Sequence, residues 1–165
     1  MNSDKSPAEP RELTHVDSAG HARMVDVSGK EVTARSATAS GTVLLSPDAV
    51  AALRKGTVPK GDALAVARIA AIQGAKRTPE LIPLCHPIGL HSVSVGVEVG
   101  DHGVDITCTT RTADRTGVEM EALTAVTVGA LALIDMVKAI DPAAVISNVR
   151  VEEKLGGKTG SWHRP

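Results

Sequence analysis

Val93, Val95, Val97 and Val99 alternate with Ser94, Gly96 and Glu98, and this period of two constrains the chain more than any other feature. Such alternation makes a strand with one apolar face. Gly100-Asp101-His102-Gly103 turns it back into Val104, Ile106, Cys108 and Thr110, which reads as a β-hairpin. Upstream, residues 31–45 read as a strand. Ser46-Pro47-Asp48 starts a helix and Lys55-Gly56 stops it. A second helix is capped by Asp62, with Ala65, Ile69 and Ile72 on one face and Lys76-Arg77 at its end. After the hairpin a long helix runs from 117 to about 140, and a last strand covers 145–151. The order strand, helices, strand, strand, helix, strand predicts an α+β, ferredoxin-like βαββαβ antiparallel sheet with helices on one face. With so much apolar alternation, a second subunit is expected to close the open face.

Length and composition narrow the class. The 165 residues carry a formal net charge of −1, which excludes a strongly electrostatic nucleic-acid binder. One Trp, no Phe and no Tyr leave no stacking platform and a core built from small aliphatic residues. Such a core is a further hint of burial between subunits. Residues 1–12 are Pro-rich and charged and read as a disordered tail, leaving 13–165 as a single domain. The start of the chain lacks an apolar signal core, and the longest apolar stretch, 122–134, is too short to span a bilayer. Two cysteines without CxxC spacing fit a reducing compartment, and a cytoplasmic protein is expected.

Leu81-Ile82-Pro83-Leu84-Cys85-His86-Pro87 places a thiol and an imidazole side by side between two prolines. The prolines disfavour helix at Ile82 and His86, so the pair sits on a stiff, extended connector. On local evidence such a connector reads first as a rigid buried loop, since free Cys is mostly core, and second as a site. Thr116 and Glu119 fit a capping box, whereas Glu121 is either a solvated first-turn acid or a functional one. Asp135 and Lys138, three apart in an otherwise apolar turn, read as a salt bridge or as an acid–base pair tuned by partial burial. Lysines recur at junctions: Lys60, Lys76, Lys154, and Lys158 beside Gly156-Gly157. Loops of that last kind can wrap phosphates, although this one lacks the glycine and helix of a P-loop. Cys85, His86, His91 and Cys108 have no metal-ligand spacing, so no metal is expected.

Thr14-His15, 22–28, Lys60-Gly61-Asp62, 75–78, 81–87, 116–123 and 135–139 together resemble the MoaC family of molybdenum cofactor biosynthesis. Leu-Cys-His-Pro followed by Gly-Val-Glu-Met-Glu-Ala-Leu is the most specific part of that likeness. The resemblance implies an enzyme that rearranges a cyclised dihydro-GTP into cyclic pyranopterin monophosphate, closing a cyclic phosphate and expelling pyrophosphate, with no cofactor. It implies catalytic roles for Asp135, Lys138, Lys60 and His86. Leu84, Cys85 and His86 match its substrate-contacting loop, as do Met120 and Glu121, with Glu119 and Lys154 as further polar groups. It also implies a homohexamer, a trimer of dimers. The family often carries Cys where Val137 stands, which leaves Cys85 as the one candidate active-site thiol. A rival reading is a non-catalytic nucleotide-binding regulatory module, which would not need Asp135 beside Lys138. Glu121 and Asp135 lie fourteen positions apart, about 21 Å along a continuous helix, so one site using both would draw them from different subunits.

Overall fold

A computed structural model describes residues 14–165; the tail expected over 1–12 lies outside the described residues. The elements are β1 (Thr33–Leu44), α1 (Pro47–Lys55), α2 (Ala63–Lys76), α3 (Thr78–Leu81), β2 (Ser92–Val99), β3 (Gly103–Asp114), α4 (Glu119–Val137), β4 (Val145–Leu155) and β5 (Trp162–His163). Strands order as β2-β3-β1-β4-β5, every neighbouring pair antiparallel. The first four strands are the expected ferredoxin-like sheet, and β5 is a short addition to its edge.

Local signals in the sequence explain most boundaries. Ser46 caps α1 by accepting from the Ala49 N–H, and Gly56 ends it in the left-handed conformation at φ 66°. Asp62 caps α2 through the Ala65 N–H. Strand β4 runs four residues past the expected 151, through Glu152, Glu153 and Lys154. Their polarity hides a strand, but β1 offers backbone partners as far as Ser36↔Leu155, and pairing overrides side-chain preference.

The core lies between one sheet face and the pair α2 and α4. Ala37, Ala39 and Val43 of β1 and Val104, Ile106 and Cys108 of β3 are buried under Ala122, Ala125, Val126, Ala130 and Leu133 of α4. Small residues allow close approach. A Cβ on Gly41 would lie 2.8 Å from Val126 Cγ1, and one on Gly74 would lie 2.8 Å from Val128 Cβ. This closeness corrects the expected face of α2. Its buried residues are Ala63, Ala67, Ala71, Gly74 and Ala75, whereas Ile69 is 58% exposed. A face of Ile and Leu would hold α4 too far off.

Helix α4 is 19 residues long and, by length and composition, apolar enough to cross a membrane, which the sequence reading had put out of reach. More than half of it is buried in the fold, and it serves as the core helix. The sheet face away from the helices also differs from expectation. It carries hydroxyls rather than an apolar surface. Thr38 and Thr109 hydroxyls bond at 2.9 Å, Thr42 donates to Asp105 at 2.7 Å, and Ser40 donates to Glu152 at 2.5 Å. The valine alternation is used up on the helix side.

Ala71→Leu should therefore destabilise by about 1–3 kcal/mol, the usual cost of overpacking a tight core. Urea unfolding of the variant against the parent checks this, and an unchanged midpoint would contradict the tight α2–α4 contact.

Candidate active site

The connector behaves as its prolines dictate. Helix α3 stops at Ile82, which is extended at φ −112° and ψ 105°, and the Cys85 N–H closes a turn on the Ile82 carbonyl at 3.1 Å. Cys85 and His86 then run extended toward β2, beside the N-terminus of α4. Leu84, Cys85, His86, Glu119, Met120 and Glu121 line one cavity of about 430 Å³. Its remaining wall comes from Thr116 and Gly117 and from the arm before β1, including His15, Val25, Val27 and Lys30.

That wall was missed as part of the site. The arm has no periodicity, and its residues carried a family likeness without a role. It is held by backbone and side-chain bonds: Val16 bridges Ala22, and Arg115 Nε donates to the Lys30 carbonyl at 2.9 Å. The His86 Nε2–H donates to the Val25 carbonyl at 2.5 Å. In the neutral ring this leaves Nδ1 as the acceptor.

Glu121 is buried, with only 3% of its surface exposed, and is not the solvated first-turn acid that one reading allowed. Burial is the main force on its carboxyl. Its own backbone N–H pulls the other way and the Glu119 charge adds to the rise, and the result is about 7. A helix N-terminus favours a carboxylate by about 0.3–1 kcal/mol at exposed positions, well below the desolvation cost of burying one. Burial wins. The same burial, then the Glu121 charge, raises the Cys85 thiol, so Cys85 is a thiol and not a nucleophilic thiolate at neutral pH.

The expected capping box does not form. Helix α4 begins at Glu119 with Val118 as its cap and no side-chain cap bond. Glu119 Oε1 instead meets Lys154 Nζ at 2.7 Å. A charged pair outweighs a neutral hydroxyl cap, and the pair brings Lys154 to this end of the helix. Glu119 folds back across Gly117, where any Cβ would collide with its carboxylate.

Lys60, Asp135 and Lys138 form a second cluster at the other end of α4. Asp135 Oδ1 meets Lys138 Nζ at 2.7 Å and Oδ2 meets Lys60 Nζ at 2.9 Å. Hydrogen bonds from Lys138 and then Lys60, reinforced by their charges, bring the Asp135 carboxyl down to about 2. The partial burial expected here is absent, since the Asp135 side chain is 55% exposed. It is an ionised anion across the neutral range. Because α4 is unbroken from Glu119 to Val137, about 21 Å separates Glu121 from Asp135 along the axis. One chain does not bring the two clusters together. Val137, where the resemblance noted a missing thiol, is fully buried in the core.

The pattern of the MoaC family matches residues 24–157. The chain belongs to the MoaC family. It is 66% identical to the cyclic pyranopterin monophosphate synthase of Streptomyces avermitilis over 158 residues, 96% of this chain and 92% of the relative. The synthase of Nocardioides sp. is 64% identical over 94% of this chain and 98% of its own length. Cyclic pyranopterin monophosphate synthase 2 of Mycobacterium tuberculosis is 54% identical over 93% of this chain and 92% of its own length. Leu84 to His86 and Glu119 to Glu121, which carried the likeness in sequence, are thus neighbours around one cavity of a MoaC family member.

A raised carboxyl implies a measurable linkage. Between pH 4.5 and 7 the folded protein holds the Glu121 proton more tightly than the unfolded chain does, so this group's contribution to stability falls as pH rises through that window. Glu121→Gln should remove that slope and gain up to about 3 kcal/mol on the parent by pH 8. Denaturant unfolding of both proteins from pH 4.5 to 8 measures the difference. Parallel curves would mean that Glu121 ionises normally.

Proposed function

We propose that this chain is an enzyme of molybdenum cofactor biosynthesis, a lyase converting (8S)-3′,8-cyclo-7,8-dihydroguanosine 5′-triphosphate to cyclic pyranopterin monophosphate and pyrophosphate. The observation that carries this reading is the cavity that gathers the Leu84–His86 connector and the Glu119–Glu121 turn around a carboxyl that burial raises to about 7. The printed names of relatives at 64–66% identity point the same way. The unit that acts is the single domain from 13 to 165.

The reaction opens and recloses a reduced purine-derived ring and then lets a sugar hydroxyl attack the α-phosphorus. The first part needs groups that give and take protons near neutrality. Glu121 at about 7 is one, and the His86 imidazole, bonded through Nε2 to the Val25 carbonyl, presents Nδ1 as a hydrogen-bond acceptor. Leu84 and Met120 supply apolar lining, and Cys85 a neutral thiol. The second part puts negative charge on departing pyrophosphate, which Lys60, Lys138 and Lys154 offset. Asp135 is too strongly ionised to donate a proton, so its role is to hold the ammonium groups of Lys60 and Lys138 in place. Proton transfer at that end then passes through the lysines. No step requires a cofactor.

The same reading assembles each site from two subunits, one giving Glu121 and its neighbours, the other Asp135 with its lysines. The oligomer we propose is a hexamer built as a trimer of dimers. Its support is the length of α4 and the small side chains of the core. A nucleotide triphosphate substrate and two free cysteines fit the cytoplasm.

Turnover of the cyclised nucleotide with pyrophosphate detection tests the activity directly. Cys85→Ser should keep activity within about tenfold of the parent, while His86→Ala should lose about 10²–10⁴-fold, the range for a lost acid–base group. The reverse ranking would exchange their roles.

Glu121→Ala and Asp135→Ala should each be inactive alone and recover activity when unfolded together and reassembled. A mixed dimer then holds one intact site and one doubly damaged site. Verified mixed oligomers without recovered activity would refute assembly across subunits.

A further inference from the structure

Trp162 is the chain's one aromatic residue, yet it stands outside the core, 42% exposed on the two-residue strand β5. Neither it nor Arg164 is used by the site above. What they touch is the stretch of β4 that leads to Lys154. Resting on the function proposed above, we propose that Arg164 is a positioning residue for Lys154, acting by holding a bulge in β4.

The bulge decides where Lys154 points. Thr38 of β1 pairs with Glu153 and Ala39 with Val151, so Glu152 is an extra residue with no partner on β1. In an unbroken strand Val151 and Lys154, three positions apart, would face opposite sides of the sheet. With Glu152 inserted, Val151 pairs with Ala39 and Lys154 with Ala37, both of which are buried on the helix side. Lys154 thereby reaches Glu119 at the start of α4, at 2.7 Å. A bulge disrupts the ladder locally, and a slip that absorbed the extra residue would turn Lys154 to the other face.

Arg164 resists that slip from the outer edge of β4. Its backbone N–H donates to the Glu152 carbonyl at 2.8 Å, and its Nε–H donates to the Val151 carbonyl at 2.8 Å. Strand β5 continues the pairing past the bulge, Glu153 with His163 and Lys154 with Trp162. The guanidinium carbon of Arg164 lies 5.6 Å from the centre of the Trp162 ring, a cation–π contact that steadies the long side chain. The contact with the Glu152 carboxylate is the lesser one, at 3.5 Å between partly exposed groups, and such pairs are worth little. The two bonds to backbone carbonyls carry the effect.

Trace acylation of the full-length protein with acetic anhydride, read lysine by lysine by mass spectrometry, reports the position of Lys154 without any turnover. Arg164→Ala should raise Lys154 labelling about threefold to tenfold, the equilibrium worth of one hydrogen bond, toward the level of Glu119→Gln, with Lys55 unchanged. Trp162→Ala, which keeps both Arg164 donors but frees the guanidinium, should shift it in the same direction. Glu152→Gln, which also keeps both bonds, should label like the parent. In turnover assays Arg164→Ala should lower kcat/KM by a similar factor and cost nothing further in a Lys154→Ala background, where a general loss of stability would still add. Parent-like labelling of Lys154 in Arg164→Ala and Trp162→Ala would overturn the proposal, as would a full additional loss in the double variant. Raised labelling in a protein whose parent turns over no cyclised nucleotide would keep the positioning of Lys154 and remove the proposed reaction.

Discussion

Helix α4 lies on the sheet at a separation that only glycine and alanine permit, and most of the remaining arrangement depends on that contact. Gly41 of β1 lies under Val126, Gly74 of α2 lies against Val128, and Gly129 of α4 faces Ala71. A chain with one Trp and no other aromatic residue cannot fill wide gaps between layers, so it removes them. The gain is positional. A helix clamped on two sides along its length holds both its ends rigidly, and each end carries a cluster of charged side chains. The N-terminal end presents Glu119, Met120 and Glu121 to the connector, and the C-terminal end presents Asp135 and Lys138 to Lys60.

The two ends treat the same functional group in opposite ways. Glu121 loses its water and is driven up to about 7; Asp135 stays in solvent, gains two ammonium partners and is driven down to about 2. Carboxyls whose environments pull their titrations apart can divide acid–base and electrostatic work between them. Here the buried one is able to exchange a proton near neutrality and the exposed one is not. The sequence likeness assigned acid–base work to Asp135, and the structure sets that carboxyl between the ammonium groups of Lys60 and Lys138.

Much of this was legible in the sequence, for reasons that differ by element. The β2–β3 hairpin, the caps Ser46 and Asp62 and the stop at Gly56 rest on interactions among near neighbours, which a linear reading captures. The buried face of α2 was misread because Ile69 and Ile72 looked like core, and only the approach of α4 shows that alanine is required there. The fate of Glu119 was hidden for the same reason: its partner, Lys154, lies thirty-five positions away on β4, so a local capping rule filled the gap. Glu121 remained open between solvent and site because burial is a property of what folds over it. The arm was the largest omission. Its backbone carbonyls, not its side chains, make the key bond to His86, and carbonyls leave no mark in a sequence.

That bond ties the chain's least regular segment to its most constrained one. Val25 belongs to a stretch with no helix or strand of its own, yet its carbonyl takes the Nε2 proton of His86. The prolines on either side of the Leu84–His86 segment limit how far the backbone can adjust, so the imidazole is held from both directions. A ring fixed this way offers Nδ1 as an acceptor without a rotational search. The arm reaches further still, since Lys30 at its end lines this cavity and a second one walled by Arg35, Gly157 and Lys158. Displacing the arm would therefore free the imidazole and remove a shared cation at once. The segment that closes the cavity is also the one that orients its imidazole.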